Sequence, residues 1–181
     1  MRKRYCAIAI LLVVLTIGCE RGDDSNSPML DNLPSVIITD PKLAEAAIVL
    51  DANAAREQHG KPSLQQDAQL QALARAYSEQ MAEQGFFGHV TPDGQTLADR
   101  FERFGISYRV IGENLARFEG EFVSIPIDEV VAGWLNSPGH RANLLDEANH
   151  GFTHTGVGIA ARPTPQTDRV AYYYTQLFLR R

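Results

Sequence analysis

Three short segments of the chain carry the side chains that are best suited to chemistry. Each holds one imidazole or carboxylate beside glycines and apolar residues, and together they are residues 85–89, 112–116 and 134–141. We predict that His89, Glu113 and His140 converge in one partly buried cleft. Two histidines and a glutamate can bind a divalent metal such as zinc with one coordination position left open, or they can transfer protons with Glu113 as the general base.

These three residues lie far apart in the sequence and form no local metal-binding motif, since nothing like His-Glu-x-x-His is present. Metal binding would therefore require tertiary convergence. The alternative is a structural network, in which each histidine hydrogen-bonds to backbone and Glu113 accepts such bonds. Asn114 and Ser137 belong to the same segments, and we predict that they also line the cleft. For Ser137, which precedes a proline, a capping or turn role is the alternative.

The chain lacks the usual signs of a nucleophilic enzyme. No Gly-x-Ser-x-Gly elbow is present. The two cysteines, Cys6 and Cys19, both lie near the N-terminus, where neither is expected to act as a catalytic thiol.

The N-terminus is typical of an export signal. A positive cap, Arg2-Lys3-Arg4, precedes an uncharged and mostly apolar run over residues 5–18 that is short for a bilayer span. The run ends in Leu-Thr-Ile-Gly-Cys19, which resembles the lipobox of bacterial lipoproteins. We therefore predict a signal peptide over residues 1–18, a lipidated Cys19 and a flexible polar tether over residues 19–40. A plain signal peptide and a retained membrane anchor are the alternatives.

Composition limits the range of partners. The net charge is −5 and no basic stripe is visible, so nucleic acid is excluded as a partner. Glu20-Arg21 after Cys19 lacks the aspartate associated with inner-membrane retention, which predicts the outer membrane if the cell is Gram-negative. Residues 41–181 are enough for one domain that buries roughly two-thirds of its unfolded surface.

Apolar spacing predicts four helices in this domain. The first starts at Asp40-Pro41 and ends before Gly60, the second covers residues 66–84, the third covers 97–104, and the fourth runs from Pro126 to Ser137-Pro138. The first should bury Leu43, Ala47, Leu50 and Ala54, and the second should bury Leu70, Leu73, Tyr77 and Met81. We predict that these stripes belong to the core and have no functional role.

The rest of the domain has strand-like patterns. Residues 108–118 are predicted to be extended, and residues 155–161 and 170–179 to form a hairpin joined by a turn-rich segment over 162–168. Helices followed by strands predict an α+β fold, with an antiparallel or mixed sheet covered by helices.

Six motifs in order carry a resemblance to a known family. They are Asn53-Ala-Ala-Arg56, Phe87-Gly-His-Val-Thr-Pro-Asp-Gly94, Gly112-Glu-Asn-Leu-Ala116, residues 134–145, Gly156-Val-Gly158 and Tyr173-Tyr-Thr-Gln-Leu-Phe178. Together they resemble the CAP superfamily of cysteine-rich secretory, antigen 5 and pathogenesis-related 1 proteins, in its bacterial SCP-domain form. The resemblance covers nearly all of residues 41–181.

The resemblance implies a three-layer α/β/α sandwich with a mainly antiparallel central sheet. It also implies a cleft with two histidines and two acidic residues, which in some members binds a divalent metal. His89 and Glu113 match the family's first histidine and its Gly-Glu-Asn glutamate. Many eukaryotic members have His-Tyr-Thr-Gln near the C-terminus, where this chain has Tyr173, so His140 is predicted to complete a triple in place of the full tetrad.

Two functions are consistent with these residues. One is a lipid-anchored, extracytoplasmic binding domain of the bacterial envelope, whose cleft takes a lipid, a cell-wall peptidoglycan fragment or a protein. The other is a metal-dependent hydrolase, peptidase-like or directed at the cell wall, that uses zinc held by His89, Glu113 and His140 to activate water. A purely structural role in the envelope is the third alternative.

Overall fold

The computed structural model describes residues 39–121, 125–165 and 167–181. The predicted signal peptide over residues 1–18, Cys19 and almost all of the tether over residues 19–40 lie outside this part of the chain. Among the helices that are described, none combines the length and the apolar character that crossing a membrane would need.

Helix α1, Pro41–Gln58, begins as predicted. The Asp40 side chain accepts a hydrogen bond from the Lys42 N–H, and Pro41 occupies the first turn. The predicted buried face is wrong, because Leu43 and Leu50 are 62% and 68% exposed. The buried face instead carries Ala44, Glu45, Ile48, Val49, Ala52, Ala55 and Arg56.

Polar residues that find partners inside the molecule explain this rotation of α1. The buried Glu45 carboxylate pairs with Arg75 and also accepts a hydrogen bond from the Ile159 backbone N–H at 3.1 Å. The buried Arg56 donates to the Leu144 carbonyl at 2.7 Å. Because buried charges are tolerated when they are paired, these contacts hold inward a face that apolar spacing alone does not identify.

Helices α2, Ala68–Gln84, and α3, Leu97–Arg103, agree with the sequence patterns. The four apolar residues predicted for the second helix are all buried. Gly85 ends α2 in the left-handed conformation at φ 70°, which glycine adopts without strain. At α3, Thr96 and Asp99 form a capping box.

The central sheet has four strands: β1, Gln65–Gln66, β2, Val110–Glu121, β3, His154–Pro163, and β4, Arg169–Arg180. Their spatial order is β1-β3-β4-β2. The predicted hairpin of β3 and β4 and the pairing of β2 with β4 are antiparallel, whereas the two-residue β1 lies parallel to β3. The sheet is therefore mixed, with its three long strands antiparallel.

The segment after β2 contains one helix more than the sequence predicts. Helix α4, Asp128–Asn136, starts two residues after Pro126 and buries Val130, Val131 and Trp134. Pro138 does not only end it, since helix α5, Pro138–Leu144, begins there. Proline is well suited to the first turn of a helix, because its missing N–H is not needed there.

The helices cover both faces of the sheet. Helices α2 and α3 pack on one face, around Leu177 and Leu179 of β4, and α1, α4 and α5 contribute to a core on the other, around Val157 and Tyr174. Helix α2 lies very close to β3, since a Cβ atom at Gly158 would come within 2.0 Å of the Arg75 backbone nitrogen. The predicted α+β, three-layer α/β/α sandwich is confirmed.

Candidate functional site

The structure brings His89 and Glu113 into direct contact. Glu113 lies on β2 opposite Leu177 of β4, and His89 lies in the loop between α2 and α3. The His89 Nδ1 atom is 2.8 Å from Glu113 Oε1, the distance of a charge-assisted hydrogen bond. The Glu113 side chain is 3% exposed and that of His89 is 58% exposed. The imidazole therefore faces solvent while the carboxylate behind it is buried.

Arg100 on α3 holds the other oxygen of this carboxylate. Its Nη2 atom is 2.5 Å from Glu113 Oε2, and its Nη1 atom donates to the His89 carbonyl at 3.0 Å. The Arg100 side chain is 3% exposed. One guanidinium group thus fixes both the glutamate and the backbone of the histidine that the glutamate binds.

Arg100 was not identified from the sequence, because the third helix was predicted without a role for any of its side chains. One signal was available, since Arg100 lies three residues after Leu97 and next to Phe101, on the side of the helix that apolar spacing turns inward. A charged residue at such a position needs a partner of opposite charge.

Tyr77 of α2 completes this side of the site. The Arg100 guanidinium carbon lies 3.4 Å above the centre of the Tyr77 ring, a cation–π contact. The Tyr77 hydroxyl donates a hydrogen bond to the Gly88 carbonyl, next to His89. Burial raises the pKa of Tyr77 to about 12, so it remains a neutral donor at physiological pH.

His140 is half-buried on α5 and is connected to the site through its backbone. The buried Asn114 of β2 donates from Nδ2 to the His140 carbonyl at 3.0 Å. Asn143 of α5 donates to the Glu113 carbonyl and to Asn114 Oδ1, both at 3.1 Å. These bonds join α5, at both of its ends, to the strand that carries Glu113. Asn143 was not identified from the sequence, since α5 itself was not predicted.

The two imidazoles have pKa values shifted in opposite directions. The hydrogen bond to Glu113 raises the pKa of His89, although burial opposes this. Burial lowers the pKa of His140, and the charge of His89 lowers it further. Within the pH range between these values, His89 is protonated and His140 is neutral.

Ser137 stands at the junction of α4 and α5, three residues before His140. Among the described residues, its hydroxyl makes no capping hydrogen bond to α5. In the part of the chain that the structure describes, no hydrogen bond joins it to the network of His89, Glu113 and Asn114.

The donor set does not form a ready metal site in this arrangement. Both carboxylate oxygens of Glu113 are engaged, one by His89 and the other by Arg100. A cation bound to Glu113 would have to share one of these oxygens with His89 or Arg100, or displace that partner. Within residues 39–121, 125–165 and 167–181, no cluster of three or more histidine, cysteine, aspartate or glutamate side chains has a metal-holding arrangement.

A sheet covered on both faces by helices, with a buried glutamate that orients an exposed histidine, defines a domain of the SCP type. The chain belongs to the CAP family, because the model of the cysteine-rich secretory protein family matches residues 51–178.

Two proteins of Bacillus subtilis (strain 168) are similar in sequence. YkwD is 41% identical over 114 residues, which make up 63% of this chain and 41% of YkwD. The membrane protein YlbC is 38% identical over 134 residues, which make up 74% of this chain and 34% of YlbC. This chain therefore spans less than half the length of either relative.

Solved structures of bacterial proteins share the fold. An extracellular protein containing a SCP domain from Bacillus anthracis str. Ames has a TM-score of 0.61 at 31% identity, over 87% of this chain and 45% of that chain. An outer surface protein from Borrelia burgdorferi has a TM-score of 0.62 at 23% identity, over 78% of this chain and 96% of that chain. The second likeness concerns the fold alone.

Proposed function

We propose that this protein is a membrane-anchored, extracytoplasmic binding domain that offers His89 as a hydrogen-bond donor to its ligand. The observation that carries the proposal is the full engagement of the Glu113 carboxylate by Arg100 and His89. Glu113 holds the imidazole of His89 through the oxygen Oε1. The exposed part of His89 is therefore free to contact a ligand. The ligand class is a lipid, a peptidoglycan fragment or a protein segment with an acceptor oxygen.

Binding is favoured over catalysis by Glu113 because of the same contacts. A general base needs an oxygen within reach of the proton that it removes. The Glu113 side chain is 3% exposed. One of its oxygens already accepts a hydrogen bond from Arg100 and the other from His89. The glutamate therefore acts by orienting His89 and not by contacting the ligand.

The proposed location follows from the N-terminal sequence and from the relatives. Arg2-Lys3-Arg4, the apolar run and Cys19 predict export and lipidation. One relative is a membrane protein, and one structural neighbour is extracellular. An envelope location, with the domain tethered outside the membrane by a lipid on Cys19, is consistent with all three.

A second candidate function, hydrolysis, is favoured by one observation. His89 and His140 have opposite pKa shifts, which is the arrangement that an acid and a base need to act in one step. In this candidate, neutral His140 accepts a proton from water and protonated His89 donates one to the leaving group. The zinc-dependent form of the same candidate stays a prediction, and in it Glu113 would have to exchange Arg100 for the metal.

One experiment separates the two functions. The protein is incubated with peptidoglycan fragments, lipids and peptides, and both the bound and the free molecules are identified by mass spectrometry. A ligand that is retained with its mass unchanged supports the binding function. A molecule that is cleaved by the wild-type protein but not by a His140→Gln variant supports the hydrolase and contradicts the binding function.

A further inference from the structure

Arg100 also lines a pocket between α2 and α3, separate from the contacts that it makes with Glu113. The pocket has a volume of about 240 Å³. Its walls include polar side chains from both helices and from the loop between them, together with apolar ones; the members used below are Leu73, Gln80, Gln95, Arg100, Arg103 and Phe104. This volume suits a small molecule or one end of a larger one.

The polar lining of the pocket is suited to an anion. It combines two guanidinium groups, from Arg100 and Arg103, with the carboxamides of Gln80 and Gln95, and no carboxylate stands among the described residues of its walls. Among those same described residues, Arg103 forms no ion pair. Guanidinium groups bind carboxylate oxygens well because their N–H groups match the spacing of the two oxygens.

The Nε–H group of Arg100 has no acceptor among the residues that the structure describes. Its Nη1 and Nη2 atoms donate to His89 and Glu113, but the buried Nε atom has no acceptor in the part of the chain described here. A buried donor without an acceptor is destabilising, and such groups are uncommon in folded proteins. An acceptor supplied by a ligand would remove this penalty and would gain affinity by doing so.

We propose that this pocket binds a small carboxylate carried on a short apolar stem. The carboxylate accepts from the Nε–H of Arg100 and from the guanidinium of Arg103, while the stem lies against Leu73 and Phe104. Since the Nε atom is covered, a wall must shift to admit the ligand. Gln80 and Gln95 are only half-buried and Phe104 is 42% exposed, so these side chains have room to move.

This subsite goes beyond the function proposed for the cleft. It has its own ligand class and lies between helices that the cleft does not use for binding. Arg100 belongs to both sites, because the same guanidinium group that holds Glu113 also forms part of the pocket wall. The two sites offer different atoms to a ligand, the exposed His89 imidazole in the cleft and the Nε–H of Arg100 in the pocket, so they can be tested separately.

The test uses nuclear magnetic resonance of the full-length chain in detergent micelles, with butyrate as the probe. The Arg100 Nε–Hε signal is assigned by its loss in an Arg100→Lys variant. Butyrate should shift this signal in a saturable manner, and butyramide, which has nearly the same shape without the charge, should not shift it.

Two exposed arginines provide the matched variants. Arg103→Gln should weaken butyrate binding by about fivefold or more, because it removes one charge-assisted contact. Arg109→Gln, at an exposed position outside the pocket, should leave the affinity for butyrate unchanged. The proposal is wrong if butyrate does not move the Arg100 signal, if butyramide moves it equally, or if Arg103→Gln binds butyrate as tightly as the wild-type protein does.

Discussion

Arg100 and Glu113 form a buried ion pair that connects α3 to β2, with 2.5 Å between Arg100 Nη2 and Glu113 Oε2 and both side chains 3% exposed. Through the other oxygen of Glu113, this pair also positions the exposed imidazole of His89. The same guanidinium group holds the His89 carbonyl, so the loop and the carboxylate are fixed together. The Arg100 guanidinium group is therefore the cation that positions both Glu113 and His89.

Removing the cation should destabilise the fold. Arg100→Met leaves the Glu113 carboxylate buried with His89 as its remaining partner and without the guanidinium group, and we expect a loss of about 3–5 kcal/mol in the free energy of unfolding. Arg109→Met, at an exposed position, should change it by less than about 0.5 kcal/mol. Denaturant unfolding followed by circular dichroism measures both values. A double variant, Arg100→Met with Glu113→Leu, should recover part of the loss. Equal effects of Arg100→Met and Arg109→Met would contradict this role for the ion pair.

The pKa values of the two histidines should separate in solution. The hydrogen bond to Glu113 raises the pKa of His89, whereas burial lowers that of His140. Glu113→Gln removes the charge that favours the imidazolium, so the pKa of His89 should fall in this variant. Glu119→Gln, which affects a surface pair with Arg117, should leave it in place. A pH titration of the imidazole signals by nuclear magnetic resonance tests this, and a pKa of His89 that is unaltered in Glu113→Gln would count against the coupling.

The raised pKa of His89 should also appear in the stability of the protein. A histidine whose pKa is higher in the folded than in the unfolded chain stabilises the fold fully below its unfolded pKa, and this contribution is lost as the pH rises through its folded pKa. The free energy of unfolding of the wild-type protein should therefore decrease over this pH range by an amount that is missing in His89→Gln. Unfolding of both proteins is measured over the same pH range. The contribution of His140 to stability has the opposite pH dependence, because its pKa is lower in the folded than in the unfolded chain. It stabilises the fold fully above its unfolded pKa, and this contribution is lost as the pH falls through its folded pKa. Parallel pH profiles for wild type and His89→Gln would overturn the prediction.

Two glycines with different surroundings test the close packing of α2 on the sheet. A Cβ atom at Gly158 would overlap the backbone of Arg75, so Gly158→Ala should cost about 3 kcal/mol or more. Gly133 lies exposed within α4, and apart from its own helix no atom of the described residues lies within 4 Å of a Cβ placed there, so Gly133→Ala should stabilise by about 0.5–1 kcal/mol. Thermal unfolding of both variants checks the sign of each change. Similar shifts for the two would show that the backbone of α2 is not in contact with β3.

Zinc titration tests the hydrolase candidate in its metal-dependent form. Because Arg100 occupies Glu113 Oε2, we expect weak zinc affinity in the wild-type protein and a higher affinity in Arg100→Gln, where this oxygen is released. The gain should disappear when His89→Ala or His140→Ala is added. Tight zinc binding by the wild-type protein that both histidine variants abolish would instead favour the metal-dependent hydrolase.

The sequence predicts the parts of the fold that depend on local signals. The stripe of α2, the start of α1 at Asp40-Pro41 and the hairpin of β3 and β4 are all confirmed. The face of α1 was wrong because its burial depends on partners from other elements, namely Arg75 for Glu45 and a distant carbonyl for Arg56. Apolar periodicity contains no information about such pairs.

The candidate site likewise contains residues that local sequence signals identify and residues that they do not. His89 and Glu113 could be identified from their residue types and from glycine-rich surroundings. Arg100 could be recognised only as a charged residue on the inward side of α3, because its partner is defined only when β2 brings Glu113 to this helix. Helix α5 was missed because Ser137-Pro138 both ends one helix and begins the next, and a proline is consistent with either.

The proposed binding function depends most on one comparison, that of ligand binding by the wild-type protein and by His89→Gln. The probes are the molecules that the wild-type protein retains from a mixture of peptidoglycan fragments, lipids and peptides, and their dissociation constants are measured by calorimetry. We expect each molecule to be retained intact. We also expect His89→Gln to weaken binding by about tenfold or more, because one charge-assisted hydrogen bond is lost, and His59→Gln, at the end of α1, to have no effect. Equal affinity of wild type and His89→Gln, or cleavage of a retained molecule, would contradict the binding function.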